Sequence, residues 1–420
     1  MQTERAISRR ARASESLTSA NEEADVRPRY RFARRVSKIG TSAIREILRV
    51  TERPDIISFA GGMPAPELFP VTELARAHAE VFAEEGAAAM QYSTTEGWLP
   101  LRKWIAERLR LRGIAAEVDH VLITTGSQQA INLTAKVFIE AGDEIIVENP
   151  SYLAALQTFN GFEASFVPVD SDNHGMRPDI LEQALKESNP KFIYVVPNFH
   201  NPKGTTLTLE RRKQIIDLSR RYRVPIVEDD PYGELRYEGE RVAPIASLDD
   251  QGMVIYISTF SKTISPGMRI GWVHASQEII RNLISAKQAA DLHTSTIQQR
   301  ATARLLSSFD YDGHLINLRR AYGARRNAML SALEKHFPEG VRWTKPTGGM
   351  FIWVELPEYI RGDALLEESL LDNVSFVPGA TFFPRTQRHN FIRLNYSNRP
   401  PEVIEEGIRR IASVLKRRMR

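Results

Sequence analysis

One lysine stands out because of the residues around it. Residues 256–272 read YISTFSKTISPGMRIGW, in which Lys262 lies among small hydroxyl residues and Arg269 follows seven positions later. The apolar run before it predicts a strand, so the lysine would follow a strand end. An amine there suits a Schiff base with an aldehyde cofactor, with hydroxyls and a guanidinium nearby to hold a phosphate. A solvated surface lysine is the simpler interpretation, and other segments must decide between the two.

The segment TTGSQQA offers a place for an anion. Its glycine precedes Ser127 and Gln128 at the predicted start of a helix, where free backbone N–H groups and the helix dipole favour a negative group. Taken alone, the segment predicts an ordinary helix cap, since serine is common at caps. Together with Thr259, Ser261 and Arg269, it predicts a phosphate site.

Two more predicted strands end in polar side chains. After FIYVVP comes NFHNPKG, which is a turn pattern but would also let Asn201 point its amide into a cleft at the strand ends. After PIVE comes DDPYGEL, although acidic residues at a strand end are often helix caps. We select Asp229 as a carboxylate that keeps a heterocyclic nitrogen protonated, because its charge raises the pKa of that nitrogen. Tyr232 is a candidate phenol donor to the same ring.

Tyr152 and Arg393 each have a structural and a functional interpretation. Tyr152 follows a predicted strand in ENPSY, where it either packs in the core or stacks on a flat ring. Arg393 lies in FIRLNYS, whose apolar neighbours predict a half-buried strand. A buried arginine without an anion is unfavourable. It therefore pairs either with an internal carboxylate or, through a bidentate contact, with the α-carboxylate of a substrate.

Short apolar segments alternate with helical patterns along the middle of the chain. Strands are predicted at VLIT, IIVE, FIYVVP, PIVEDD and VIYIS, with helical stretches such as LERRKQIIDLSRRY between them. This alternation predicts an α/β fold with a parallel sheet covered on both faces. Ligands bind beyond the carboxyl ends of such strands. After about residue 310, strands with glycine-rich turns and a closing helix predict a smaller α+β domain.

Composition limits the possible functions. The chain has 420 residues, of which 42% are hydrophobic and 26% are charged, so we expect a globular protein with two domains. Without cysteine there are no disulfides and no thiolate metal sites, and we expect no metal. The net charge is +4, and residues 1–35 carry nine Arg and five acidic residues, which is also +4. The neutral remainder argues against nucleic-acid binding. No apolar run approaches the roughly 20 residues that span a membrane.

The N-terminal residues 1–36 predict a disordered basic tail. They are rich in Arg, Ser and Ala and have no sustained apolar period. A mitochondrial transit peptide is the alternative, but the acidic residues count against it. There is also no apolar segment typical of a secretory signal, and we expect a cytoplasmic protein.

Together, the segments resemble fold-type I pyridoxal-5′-phosphate (PLP) aminotransferases of class I/II, and they are most similar to the α-aminoadipate and kynurenine aminotransferase branch. The similarity runs from about Lys38 to the C-terminus. The motifs occur in the family's order as FAGGMPAPELFP, QYSTTEGWLPLR, TTGSQQA, NPSY, NFHNPKG, VEDDPYGEL, STFSKTISPGMRIGW, KPTGGMFIWVEL and FIRLNYS. The resemblance implies a mainly parallel seven-stranded sheet. It also implies an arm over 37–70 that joins the small domain and a dimer partner, a large PLP-binding domain over 71–305 and a small domain over 306–420.

The resemblance also implies a role for each residue. Lys262 would form the Schiff base, and Asp229 would pair with the pyridinium nitrogen. The other expected contacts are Asn201, Tyr232 and Tyr152 at the ring, Ser127, Gln128, Thr259, Ser261 and Arg269 at the phosphate, and Arg393, Asn201 and Gly62 at the substrate. Tyr92 would reach the phosphate of the partner subunit, so the expected active unit is a homodimer with shared sites.

One position departs from the relatives that the chain resembles. In α-aminoadipate relatives, an arginine in the first helix can meet the distal carboxylate of the substrate. Lys38 stands at that position here, at the start of a helical pattern that continues to Val50. Lysine keeps the charge but loses the fork of donors, so a preference for acidic side chains stays open.

The implied reaction is a ping-pong transamination between an L-amino acid and a 2-oxo acid through Lys262. The expected couple is glutamate and 2-oxoglutarate, and the partner would be 2-aminoadipate, a branched-chain or aromatic amino acid, or a biosynthetic intermediate. A lyase or decarboxylase on the same scaffold is one alternative. A transcriptional regulator with an aminotransferase-like domain is another. About 37 residues precede the similarity, which is too few for the DNA-binding module of such a regulator.

Overall fold

The computed structural model describes residues 30–38 and 55–419. The predicted helix from Lys38 to Val50 lies, beyond Lys38 itself, outside the described residues. The α-helices are α1 (Val71–Ala89), α2 (Leu99–Arg110), α3 (Ser127–Phe138), α4 (Leu153–Gly161), α5 (Pro178–Glu187), α6 (Leu209–Tyr222), α7 (Gln277–Asp291), α8 (Thr296–Ser308), α9 (Tyr311–His336), α10 (Gly362–Leu371) and α11 (Pro401–Arg418). No helix in the described part of the chain is long and apolar enough to cross a membrane.

The strands form a large sheet, a small sheet and one short pair. They are β1 (Ile57–Ser58), β2 (Val121–Thr124), β3 (Glu144–Asn149), β4 (Ser165–Asp172), β5 (Gly175–Met176), β6 (Ile193–Val195), β7 (Ile226–Asp229), β8 (Val254–Thr259), β9 (Gly271–His274), β10 (Arg342–Trp343), β11 (Phe351–Glu355), β12 (Val374–Ser375), β13 (Val377–Pro378) and β14 (Phe391–Asn395).

The large sheet confirms the predicted mainly parallel arrangement. Its strand order is β2-β9-β8-β7-β6-β3-β4-β5. Neighbouring strands from β8 to β4 are parallel, whereas β9 runs antiparallel to both β8 and β2. The described sheet therefore has eight strands, one more than expected. The additional strand is the two-residue β5, which turns back on the end of β4.

Apolar residues on both faces explain why the central strands are parallel and covered by helices. Every residue of β6, β7 and β8 is buried, which matches their continuous apolar runs. The carboxyl ends of β6, β7 and β8 lead into NFHNPKG, DDPYGEL and the Lys262 segment. The polar side chains predicted for the site therefore share one edge of the sheet.

The smaller sheet and its helices surround a second apolar core. Strands β10, β11, β14 and β13 pair antiparallel in that order, and β1 pairs with β12. Helix α9 links the two cores: its first half packs Tyr311 and Leu315 into the large core, and its second half packs Met329 and Leu333 into the small one. Phe59, from the segment after β1, is also buried in the small core.

Candidate active site

A cavity of about 380 Å³ opens where the strand ends of the large sheet face the small sheet. It is lined by the candidate residues Gly62, Ser127, Gln128, Tyr152, Asn201, Asp229, Tyr232, Thr259, Ser261, Lys262, Arg269 and Arg393. The fold therefore brings together residues that are as far as 331 positions apart in the chain, as Gly62 and Arg393 are.

Lys262 follows β8 at the end of one 3₁₀ turn, Phe260–Lys262. Its Nζ donates a hydrogen bond of 2.8 Å to the carbonyl oxygen of Gly62. Burial lowers the pKa of the Lys262 ammonium to about 8, and the positive charges of Arg393 and Arg269 act in the same direction. The lowered pKa increases the neutral fraction of this amine near neutral pH, and the neutral amine is a nucleophile and a proton acceptor.

Asp229 is the last residue of β7, and its side chain faces the cavity. The hydroxyl of Tyr194 donates a 2.6 Å hydrogen bond to its Oδ2. Its Oδ1 is buried and has no hydrogen-bond partner among the described residues. Burial raises the pKa of the Asp229 carboxyl to about 7, against the effect of the Tyr194 hydrogen bond, and the charge of Asp230 raises it further. This oxygen is available to a cationic or N–H group in the cavity.

Arg393 is a buried arginine in β14 that has no carboxylate contact among the described residues. Its Nη1 donates to Oδ1 of Asn201 at 2.8 Å, and its Nη2 donates to the carbonyl oxygen of Ala60 at 2.6 Å. Its Nε is buried without a partner. Burial lowers the pKa of the guanidinium to about 10. Such a cation has an unfilled preference for an anion.

The other side of the cavity is formed by backbone N–H groups, hydroxyls and a guanidinium. Helix α3 begins at Ser127, directly after Gly126, whose φ of 75° favours glycine. A Cβ at Gly126 would lie 2.5 Å from Nη2 of Arg269, so the glycine makes room for that side chain. Oγ1 of Thr259 lies 2.9 Å from Oγ of Ser261. This combination of donors suits a phosphate.

The cavity is also lined by the phenols of Tyr152 and Tyr232 and by the amide of Asn201. Burial raises the pKa of the Tyr152 phenol to about 12, with a further contribution from the charge of Asp229. Burial also raises the pKa of the Tyr232 phenol, against the effect of its hydrogen bond with Asn201. Both phenols therefore remain protonated and can donate a hydrogen bond to a bound ring.

The comparisons with known proteins agree with one family. The sequence model of the protein family "Aminotransferase class I and II" matches residues 54–411. The chain is 45% identical to an aromatic-amino-acid aminotransferase of Thermococcus litoralis, over 93% of this chain and 95% of that protein. It is 41% identical to a 2-aminoadipate transaminase of Thermus thermophilus, over 92% of this chain and 96% of that one. A solved kynurenine aminotransferase of Pyrococcus horikoshii has a TM-score of 0.89 at 41% identity, over 93% and 98% of the two chains.

The chain belongs to the class I and II aminotransferases. This result confirms the resemblance seen in the sequence, the fold type and the activity: the enzyme is a PLP-dependent aminotransferase that acts on amino acids.

The residues of this aminotransferase fit PLP chemically. The unpartnered oxygen of Asp229 matches a protonated ring nitrogen, and the hydroxyls with Arg269 match a phosphate. Lys262 supplies an amine in the same cavity. Gly62 also keeps space in the cavity, since a Cβ there would lie 3.0 Å from the ring of Phe351.

Two predicted residues of the aminotransferase do not line the cavity. Tyr92 is 78% exposed, and its ring packs edge-on against His293 at 5.9 Å. Lys38 is exposed in the 3₁₀ helix Arg34–Lys38. Arg34 of that helix forms a 2.8 Å ion pair with Glu163. In this single chain, neither residue contacts the site, and their roles stay predictions.

Tyr194 contacts the site, but the sequence did not single it out. It occupies the middle of β6 and is fully buried, with its hydroxyl on Asp229. A signal was present, because a buried phenol in an apolar strand requires a polar partner. The pairing of β6 with β7 would have been needed to identify that partner as Asp229.

Proposed function

We propose that PLP occupies this cavity with Lys262 as its covalent partner and Asp229 facing its ring nitrogen. Ser127, Gln128, Thr259, Ser261 and Arg269 would hold the phosphate, Tyr152, Asn201 and Tyr232 would hold the ring, and Arg393 with Asn201 would hold the substrate α-carboxylate. The observation that carries the proposal is the placement of Lys262, an unpartnered oxygen of Asp229 and an unpartnered N–H of Arg393 around one cavity.

The roles follow from the charges that each group presents. PLP, when bound, supplies the carbonyl carbon and the electron-withdrawing ring on which an amino group is exchanged. Nζ of Lys262, in its neutral form, would remove the proton from the α-carbon of the amino acid and hold it for transfer to the carbonyl carbon that PLP supplies. The lowered pKa of Lys262 favours that form. Asp229 would keep the ring nitrogen protonated, since its carboxylate stabilises a positive charge in a buried place.

We infer that the preferred partner of the glutamate and 2-oxoglutarate couple is a neutral amino acid. The cations that line the described cavity are Lys262, Arg269 and Arg393, and each already has a role in the proposal. Apolar groups of Leu153 and Phe351 line the same cavity. A distal carboxylate would have no free cation among these residues, whereas an apolar side chain would bury its surface. The aromatic specificity in the name of the Thermococcus relative agrees with this inference.

The proposed active unit is a homodimer in the cytoplasm. Tyr92 and its neighbour Met90 are 78% and 67% exposed, and Leu292 nearby is 49% exposed. Burying such side chains against a second copy would be favourable. In such a dimer, Tyr92 would contact the cofactor phosphate in the site of the partner subunit. The absence of cysteine is compatible with a reducing compartment.

A substrate panel tests the proposed specificity. Full-length enzyme with bound PLP is mixed with 2-oxoglutarate and with phenylalanine, leucine or 2-aminoadipate, and glutamate formation is followed. We expect kcat/KM for phenylalanine to exceed that for 2-aminoadipate by at least about ten-fold. A higher kcat/KM for 2-aminoadipate would contradict the inference, and release of ammonia or carbon dioxide without glutamate would indicate a lyase or a decarboxylase.

A further inference from the structure

A set of polar side chains lies behind the proposed phosphate site and outside the cavity. We call Gln129, Lys287 and Asp291 the rear cluster. Lys287 in α7 is fully buried, and its Nζ lies 2.7 and 3.0 Å from the two carboxylate oxygens of Asp291. The same Nζ donates to Oε1 of Gln129, in α3, at 2.9 Å. The cluster therefore connects α7 with the first turn of α3.

The rear cluster converges on Thr125, which directly precedes Gly126. Oε1 of Gln129 accepts a 2.8 Å hydrogen bond from the backbone N–H of Thr125, and Nε2 of Gln129 donates to Oδ2 of Asp291 at 2.7 Å. The hydroxyl of Thr125 donates to the same Asp291 oxygen at 3.2 Å. The Gln129 amide thus has one orientation that satisfies all of its neighbours.

Thr125 is also connected to the proposed phosphate contacts. Its carbonyl oxygen accepts a 3.3 Å hydrogen bond from Nη2 of Arg269. One residue further along, Gly126 leads into the N-terminus of α3 at Ser127. A shift of Thr125 would therefore move the Arg269 guanidinium and the first N–H groups of α3 together.

Helix α7 does not need this ion pair for attachment, because Ile280 and Leu283 already bury it in the large core. Lys287 is buried, but the side chain of Asp291 is 31% exposed, and an ion pair that reaches solvent contributes little to stability. We propose that the rear cluster consists of positioning residues: Gln129, Lys287 and Asp291 hold Thr125 so that Arg269 and the start of α3 match a phosphate. The proposal deepens the proposed function and rests on its assignment of the phosphate contacts.

The positioning role predicts that variants of the rear cluster lose affinity for PLP but not for pyridoxal. Pyridoxal has the same ring and aldehyde as PLP but lacks the phosphate, so it does not use these contacts. A variant of the rear cluster should weaken binding of PLP and leave binding of pyridoxal nearly unchanged. General damage to the fold would weaken both ligands.

The test titrates the full-length chain, cleared of cofactor, with PLP and with pyridoxal, and follows absorbance. Gln129→Met keeps the length of the side chain but removes the acceptor of the Thr125 N–H. We expect Kd for PLP to rise about ten-fold, as when supporting contacts of a bound group are removed, and Kd for pyridoxal to change less than about two-fold. Gln183→Met, the same change on the exposed face of α5, is the matched control and should alter neither. Asp291→Asn provides a second variant should Gln129→Met fold poorly.

Arg269→Gln separates failure of this proposal from failure of the site assignment. If Arg269→Gln weakens PLP binding and both rear-cluster variants do not, the positioning role is wrong and the phosphate site stands. Equal weakening of PLP and pyridoxal by the rear-cluster variants would also overturn the role. If Arg269→Gln leaves the Kd of PLP unchanged, the phosphate assignment itself is wrong.

Discussion

Asp229 and Asp230 are adjacent, buried carboxylates whose surroundings differ. Asp230 accepts a 2.6 Å hydrogen bond from Arg112, a 3.0 Å bond from Tyr256 and a 2.8 Å bond from Asn198. Burial alone would raise the pKa of Asp230, but Arg112 and Asn198 hold it below its usual value. Asp229 has one donor and a raised pKa. Both carboxylate oxygens of Asp230 therefore accept hydrogen bonds, whereas one oxygen of Asp229 accepts none from the described residues.

Two buried arginines show the same difference. Arg212 donates to the carbonyl oxygens of Leu207, Ala243 and Pro197 and to the side chain of Asn198, so each of its nitrogens has a partner. Arg393 has a buried Nε that finds no partner in the described part of the chain. Unsatisfied buried polar groups destabilise a fold, and a ligand bound in the proposed site would provide partners for Asp229 and Arg393, which line one cavity.

The largest expected effect separates the two aspartates by activity. Asp229→Asn should lower kcat/KM by between about 100-fold and 1,000-fold, because it removes the fixed charge that would stabilise the protonated ring nitrogen. Asp230→Asn, in the fraction that folds, should change kcat/KM much less. Steady-state kinetics of both holoenzymes measures the difference, and equal losses would remove the distinction drawn between them.

For stability we expect the reverse: Asp230→Asn should have the larger effect. Asp230→Asn leaves Arg112, whose side chain is only 12% exposed, without its carboxylate and should lower the free energy of unfolding by about 3 kcal/mol. Asp229→Asn should not destabilise the cofactor-free chain, since it removes a charge that lacks a buried counter-ion. Urea unfolding of the cofactor-free variants compares them. A larger loss for Asp229→Asn would contradict the interpretation.

Arg393 and Arg212 allow the same comparison with a smaller expected loss of activity. Arg393→Lys keeps the charge but loses the paired donors, and we expect kcat/KM to fall about 30-fold, which equals roughly 2 kcal/mol. The effect should appear with every amino acid substrate, since all share the α-carboxylate. Arg212→Lys provides the control on the sheet side, where stability should fall instead. If Arg393→Lys impaired only acidic substrates, Arg393 would instead bind the side-chain carboxylate of the substrate.

The smallest effect is a pH dependence of opposite sign at the two aspartates. The pKa of Asp229 is about 7 in the fold against 3.8 for the free group, so the folded chain binds more protons between these values. Its contribution to unfolding free energy therefore falls by about 1 kcal/mol from about pH 5 to pH 6. The contribution of Asp230, whose pKa is lowered, is instead lost toward acid pH. Comparing the cofactor-free wild type with Asp229→Asn across pH measures this slope, and a slope of the other sign would exclude the raised pKa.

Much of the site could be predicted because its residues follow strand ends. Asp229, Asn201 and Lys262 come directly after apolar runs, and parallel strands bring such ends to one edge. Tyr194 and Gly62 could not be found this way. Tyr194 lies inside a strand, and the contact of Gly62 with Lys262 depends on how a chain segment 200 residues away crosses the sheet.

One strand of the large sheet could not be predicted. Strand β5 has two residues, which is too short for a periodic pattern. The role of Asp230 was equally hidden, because VEDDPYGEL presents adjacent acids and only tertiary packing distinguishes the one that faces Arg112 from the one that faces the cavity. Asp229 was selected for its place at a strand end and its proposed chemistry, and the family resemblance then implied the same role.

Covalent labelling tests the central claim most directly. Full-length holoenzyme is reduced with borohydride, digested, and mapped by mass spectrometry for the lysine that carries the pyridoxyl group. We expect modification of Lys262. Two buried lysines, Lys203 and Lys287, serve as internal controls because they lie outside the cavity. Modification of either one, with Lys262 unmodified, would contradict the assignment of the active site.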